Sequence, residues 1–175
     1  MLKSDIMQKA KDFCSEHSIE EYPVRIVDLC KKMGISVFEE YLPKDVSGFI
    51  VIQEEPFHDY NSGRVIVANL SDSAERRRFT IAHELAHYLL HRDDNQPLYA
   101  HRDAGQNGRI EREANIFASN ILMPEDLVRS FLDEIKDEVP GKLFDSYKII
   151  LLADQFAVSR PAAETRLKEL NLLMW

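Results

Sequence analysis

Phe79-Thr80-Ile81-Ala82-His83-Glu84-Leu85-Ala86-His87-Tyr88-Leu89-Leu90-His91 is the stretch on which the fold turns. Phe79, Ile81, Leu85, Leu89 and Leu90 recur at helical intervals, so the segment reads as an amphipathic helix anchored to a core. Ser71 or Asp72 can cap its start, and the periodic pattern runs to about His91. His83 and His87 are one turn apart, so a helix stacks both imidazoles on one face within reach of a single ion. Glu84 sits beside them, where a carboxylate can take a proton from a bound water. This is the H-E-x-x-H arrangement of zinc peptidases, in which two histidines leave the metal needing a third protein ligand and an open position for water.

The third ligand is expected downstream, on a helix that can approach closely. Arg109 to Leu122 reads as that helix. Glu111, Ala114, Asn115 and Ala118 share one of its faces at spacings of three, four and seven. Glu111 is the candidate ligand, the two alanines allow close approach, and Asn115 can hold a ligand imidazole by hydrogen bond. Glu113 is rotated well away from that face, at about 100° per residue, and reads as a surface acid. His91 continues the histidine spacing, but each further turn carries its side chain about 5 Å along the axis. It reads as a histidine at the helix C-terminus, favoured by the helix dipole.

Outward from this core the chain is helical on both sides of a β-rich region. Apolar residues at Ile6, Ala10, Phe13 and Cys14 predict a first helix. A second begins after Pro23 and ends at Gly34. Runs 35–38, 48–52 and 64–68 are rich in β-branched and aromatic residues and predict a small antiparallel sheet. Residues 92–108 read as a long polar loop, and Pro124 opens a further helix. Pro140-Gly141 marks the start of a C-terminal helical segment. The expected organisation is a core over 1–139 and a helical segment over 140–175, packed on the core. Within the latter, 154–167 resembles a helix-turn-helix, with Ser159 as a cap and Arg160 and Arg166 available to a partner. Arg76-Arg77-Arg78 reads as a solvated face with local ion pairs.

The 175-residue chain is long enough for one core, and its net charge of −8 disfavours broad nucleic-acid binding. Direct nucleic-acid contact is not expected. The N-terminus intersperses charges and carries no apolar signal region, and no apolar run approaches a membrane span. Cys14 and Cys30 belong to no paired motif and read as core residues of a cytoplasmic protein.

His83-Glu84-Leu85-Ala86-His87, Glu111-x-Glu113-Ala114-Asn115-x-Phe117-Ala118 and Leu122-Met123-Pro124 together resemble the ImmA/IrrE family of metallopeptidases. Arg77 to Ala82 and Leu89-Leu90-His91 resemble it too, and the likeness runs over roughly 20–170. Ala86 departs from the glycine frequent in the family but keeps a small residue. The resemblance implies an α+β fold: a zincin-like core with its small sheet packed on the motif helix. It implies the gluzincin ligand set of two histidines and a glutamate, a zinc cofactor, and Glu84 as general base. It further implies a substrate that is a repressor-type DNA-binding transcription regulator, expected to be encoded nearby. Tyr88, Tyr99, His101 and Arg102 all stand open as oxyanion donors. The competing expectation is a binding protein on the same scaffold, such as a toxin–antitoxin component, that sequesters its partner without cutting it.

Overall fold

The computed structural model describes residues 1–92, 98–100, 108–138 and 145–173. The motif helix, α3, spans Ala74–His91. Its cap is Ser73, whose Oγ accepts from the Arg76 amide at 3.3 Å, rather than Ser71 or Asp72. Those two residues belong instead to the turn that Asn69 organises. Asn69 Oδ1 accepts from the amides of Leu42 and Ser71, while its Nδ2 donates to the carbonyls of Leu42, Pro43 and Val46. One buried amide thus ties the end of a strand to the loop 42–47 and to the approach to α3.

The strands are β1 (Ser36–Glu40), β2 (Gly48–Ile52), β3 (Arg64–Asn69) and β4 (Leu98–Ala100), in the spatial order β1-β3-β2-β4. β2 pairs antiparallel with both β3 and β4, but β1 and β3 run parallel, with Ser36 opposite Val65 and Glu40 opposite Asn69. The sheet is therefore mixed, which corrects the antiparallel expectation. The chain does reverse direction from β1 to β2 and again from β2 to β3. However, β3 enters between β1 and β2, and strands separated by two reversals point the same way. β4 is the second correction, since it lies inside the stretch read as a loop. Residues 93–97 and 101–107 of that stretch fall outside the described residues, as does the Pro140-Gly141 turn.

The sheet rests on α3 through β2 and β3. Val65, Ile66, Val67 and Ala68 are all fully buried, and so are Ala82, Leu85 and Ala86 on the helix. Gly48 lets β2 come this close, because a Cβ there would collide with the Thr80 methyl group and the Val67 carbonyl oxygen. On its other flank α3 packs against α4 (Gly108–Leu122), whose Ala114 and Ala118 are fully buried, and α4 in turn packs on α1 (Lys3–Glu16). α2 (Ile26–Lys32) ends at Gly34, whose φ of +73° is the left-handed turn that favours glycine.

Beyond α5 (Glu125–Glu138), α6 (Asp145–Phe156) and α7 (Arg160–Glu169) pack on each other, and Ser159 caps α7 through the Ala162 amide. Arg166 is turned inward at 1% exposure, with Nε donating to the Met123 carbonyl at 3.0 Å, so it is a buried tie and not a partner-facing residue. The arginine triplet divides in the same way. Arg76 pairs with Asp72, as a solvated face would. Arg77 reaches Glu39 on β1, and Arg78 donates to the carbonyls of Val24 and Ala157. With Arg76 also donating to Ser47 Oγ, the patch joins α3 to four other parts of the chain.

Candidate metal centre

The packing of α3 on α4 brings together the side chains the sequence singled out. His83 and His87 face α4 from adjacent turns of α3, at 2% and 4% exposure. Glu111, in the first turn of α4, meets both: Oε2 lies 3.2 Å from His83 Nε2 and Oε1 lies 3.2 Å from His87 Nε2. The two Nε2 atoms are 3.0 Å apart. The three residues thus form a triangle, with two imidazole nitrogens and a carboxylate that turns one oxygen to each of them, their ligand atoms within 4.8 Å of one another. Ligands about 2.1 Å from a tetrahedral zinc stand about 3.4 Å from one another, so the triangle fits such an ion with small adjustments. The donor chemistry fits as well, since two imidazole nitrogens and a carboxylate oxygen are borderline-to-hard donors of the kind zinc takes.

The tautomer of His83 follows from its neighbour. Asn115, one turn along α4 from Glu111, presents Oδ1 at 2.9 Å from His83 Nδ1. An amide oxygen only accepts, so Nδ1 carries the proton and the Nε2 lone pair is left toward the triangle. Glu84 follows His83 and is buried at 3% exposure within the same run of α3. Glu111 is the open member of the group, with its side chain about a third exposed.

One residue stands elsewhere than expected, and His91, at the C-terminal end of α3 as expected, is engaged by it. Glu113 is buried and not a surface acid: its carboxylate takes the Met1 ammonium, Arg109 Nε at 2.9 Å and His91 Nε2 at 3.1 Å. Those partners, the ammonium first, hold its carboxyl down at about 2. His91 is correspondingly enclosed, with its side chain 12% exposed and Nδ1 3.3 Å from His87 Nδ1. A signal for this pair was present in the sequence. The four-residue spacing continues from His87 to His91, and Glu113 follows two places after Glu111. Of the oxyanion candidates, Tyr88 has its hydroxyl engaged by Arg92 Nη1 at 2.8 Å. The side chains of Tyr99, His101 and Arg102 lie outside the described residues.

Known proteins resemble the chain over this same region. The IrrE N-terminal-like domain matches residues 30–168. The radiation response metalloprotease IrrE of Deinococcus radiodurans is 38% identical over 73 residues, which cover 39% of this chain and 22% of that protein. The metallopeptidase ImmA of Bacillus subtilis is 25% identical over 79 residues, covering 45% of this chain and 46% of the relative. An immunity region protein of Bacillus phage phi105 is 28% identical over 124 residues, covering 66% of this chain and 74% of its own length. The match therefore spans under a quarter of IrrE and under half of ImmA. Among solved structures, a Mycobacterium tuberculosis transcriptional regulator has the same fold over 94% of this chain and 47% of its own, at TM-score 0.60 and 21% identity. Among the described residues no helix is long and apolar enough to cross a membrane.

Proposed function

The chain belongs to the ImmA/IrrE family of metallopeptidases, and from that premise we propose that it is a zinc-dependent endopeptidase that cleaves a repressor-type transcription regulator. The observation that carries this reading is the triangle of His83, His87 and Glu111 beside the buried Glu84. The sheet packed on α3 is consistent with a zincin-like core.

His83, His87 and Glu111 would hold the ion. When bound, zinc supplies Lewis acidity, polarising a scissile carbonyl and lowering the pKa of its water to about 7. Glu84 acts as general base, taking a proton from the attacking water on its carboxylate and delivering it to the leaving amide nitrogen. Burial of Glu84 limits competing solvent, so the proton it takes is retained for the leaving group. Asn115 keeps the His83 ring oriented throughout. The repressor-type substrate, expected to be encoded nearby, rests on the resemblance to the family alone. A cytoplasmic site of action suits two buried free thiols.

The test is cleavage of the repressor encoded beside this gene by wild type and Glu84→Gln, with metal content measured on both. Glu84→Gln is expected to bind zinc with wild-type stoichiometry and to lose at least about 100-fold in cleavage rate, the scale of general-base catalysis. A chelator should abolish wild-type cleavage. Wild-type rates in Glu84→Gln would overturn the mechanism. Chelator-insensitive capture of an uncut repressor would favour the sequestering reading.

A further inference from the structure

Beyond the triangle, hydrogen-bonding groups continue in a line along α3 and across to α4. His87 presents Nε2 to Glu111 and Nδ1 to the next imidazole, His91, at 3.3 Å. His91 presents its own Nε2 to Glu113 Oε2 at 3.1 Å. The directions of these bonds are set from the far end. Glu113 is an acceptor, its carboxylate already taking the Arg109 Nε–H and the Met1 ammonium. As a neutral imidazole His91 places its proton on Nε2 to donate to it, which leaves Nδ1 as a lone pair. A lone pair at that position can only be met by a proton on His87 Nδ1, so the lone pair of His87 falls on Nε2, facing the triangle.

Resting on the metallopeptidase reading, we propose that Glu113 and His91 are positioning residues that fix the tautomer of His87, so that its Nε2 is ready to ligate the ion. Each metal-site histidine then has its own brace. His83 is set by the Asn115 amide oxygen, and His87 by a carboxylate acting through a second imidazole. This arrangement also accounts for two acids so close together on one helix. Glu111 meets the triangle directly, whereas Glu113 meets it only through His91.

The experiment uses the full chain with ¹⁵N-labelled histidine and, separately, zinc competition against a chromophoric chelator. Long-range ¹H–¹⁵N spectra of the metal-free wild type are expected to show His87 protonated at Nδ1 and His91 at Nε2. His91→Leu, which fills a similar volume without a lone pair, is expected to release the His87 tautomer and weaken zinc binding 10–100-fold, the usual effect of removing such a partner. His91→Gln can offer both an oxygen to His87 and an N–H to Glu113, so it is expected to recover most of that affinity. Glu113→Gln should fall between them. Circular dichroism on each variant separates loss of the brace from loss of the fold. The proposal is overturned if wild-type His87 carries its proton on Nε2, or if folded His91→Leu binds zinc as tightly as wild type. A wild-type chain that bound no zinc would instead count against the peptidase reading, and the tautomer spectrum would still decide this one.

Discussion

Cys30 is fully buried, and burial pushes its thiol up to about 12; Cys14, against α4 and α7, is pushed up to about 11. A thiol raised in the folded state stabilises the fold below its unfolded pKa of about 9 and loses that contribution as pH rises toward the folded value. The chain should therefore lose thermal stability progressively between about pH 9 and pH 12, a range in which its carboxylates do not titrate. In native buffer at pH 8 neither thiol should react with a disulfide reagent, and both should react once denaturant is added. Rapid native labelling would contradict the burial. At this same scale the sequence was most informative where chemistry and helical phase coincide. His83, His87, Glu111 and Asn115 can be placed from their spacings because each spacing is a whole turn. The spacings hinted at Glu113 and His91 separately, but their contact with each other was not legible, since it depends on how α3 lies against α4. That relation is set by the apolar faces of two distant segments and by no local pattern.

Elements are built from local patterns but arranged by long-range ones. The helical periodicity around the motif predicts α3, and the runs of β-branched residues predict β1, β2 and β3. Their order could not be read, because alternation of direction along the chain is compatible with several arrangements in space. β4 was hidden for a different reason. Leu98-Tyr99-Ala100 is three residues long, and it is a strand because β2 offers it an edge, with Val51 opposite Tyr99. The contact between sheet and motif helix yields a direct test. Gly48→Ala places a methyl group where the Thr80 side chain and the Val67 carbonyl already lie, on a backbone that can shift only by moving β2 off α3. A loss of about 1–3 kcal/mol in denaturant unfolding is expected, the range for overpacking a filled interior. An unchanged midpoint would mean that the sheet is less tightly seated on α3 than this contact implies.

For the molecule as a whole, the C-terminal helices share their core with the rest. Phe156 of α6 stacks on Tyr22 at a centroid distance of 4.5 Å and meets Phe131 of α5 at 5.8 Å. Leu167 is fully buried on α7, and the Arg166 guanidinium reaches back to Met123. Ending the chain at residue 144 would strip these partners away and leave Tyr22, Phe131 and the Met123 carbonyl facing water. Calorimetry of the full chain is expected to show one transition, and the shortened chain none that is cooperative. Two separate transitions in the full chain would show instead that the segment folds by itself. The sequence suggested a packed appendage but cast Arg166 as a residue for outside partners. Charge alone predicts a solvated arginine, and only the tertiary fold supplies the carbonyl that receives it inside.

The histidine ladder of α3 and the paired acids of α4 also act as a gauge of length. His83, His87 and His91 repeat by one helical turn, while the acids that meet the two ends of that row are separated by a single intervening residue, Arg112. Inserting or deleting one residue between Glu111 and Glu113 would rotate everything before it by about 100° relative to the helix body. Such a slip would be invisible to composition and nearly invisible to helicity, yet it would turn Glu111 away from the triangle while leaving Glu113, Asn115 and the packing alanines where they are. The facing helices therefore verify one another's count, and the metal site is the place where a miscount would register.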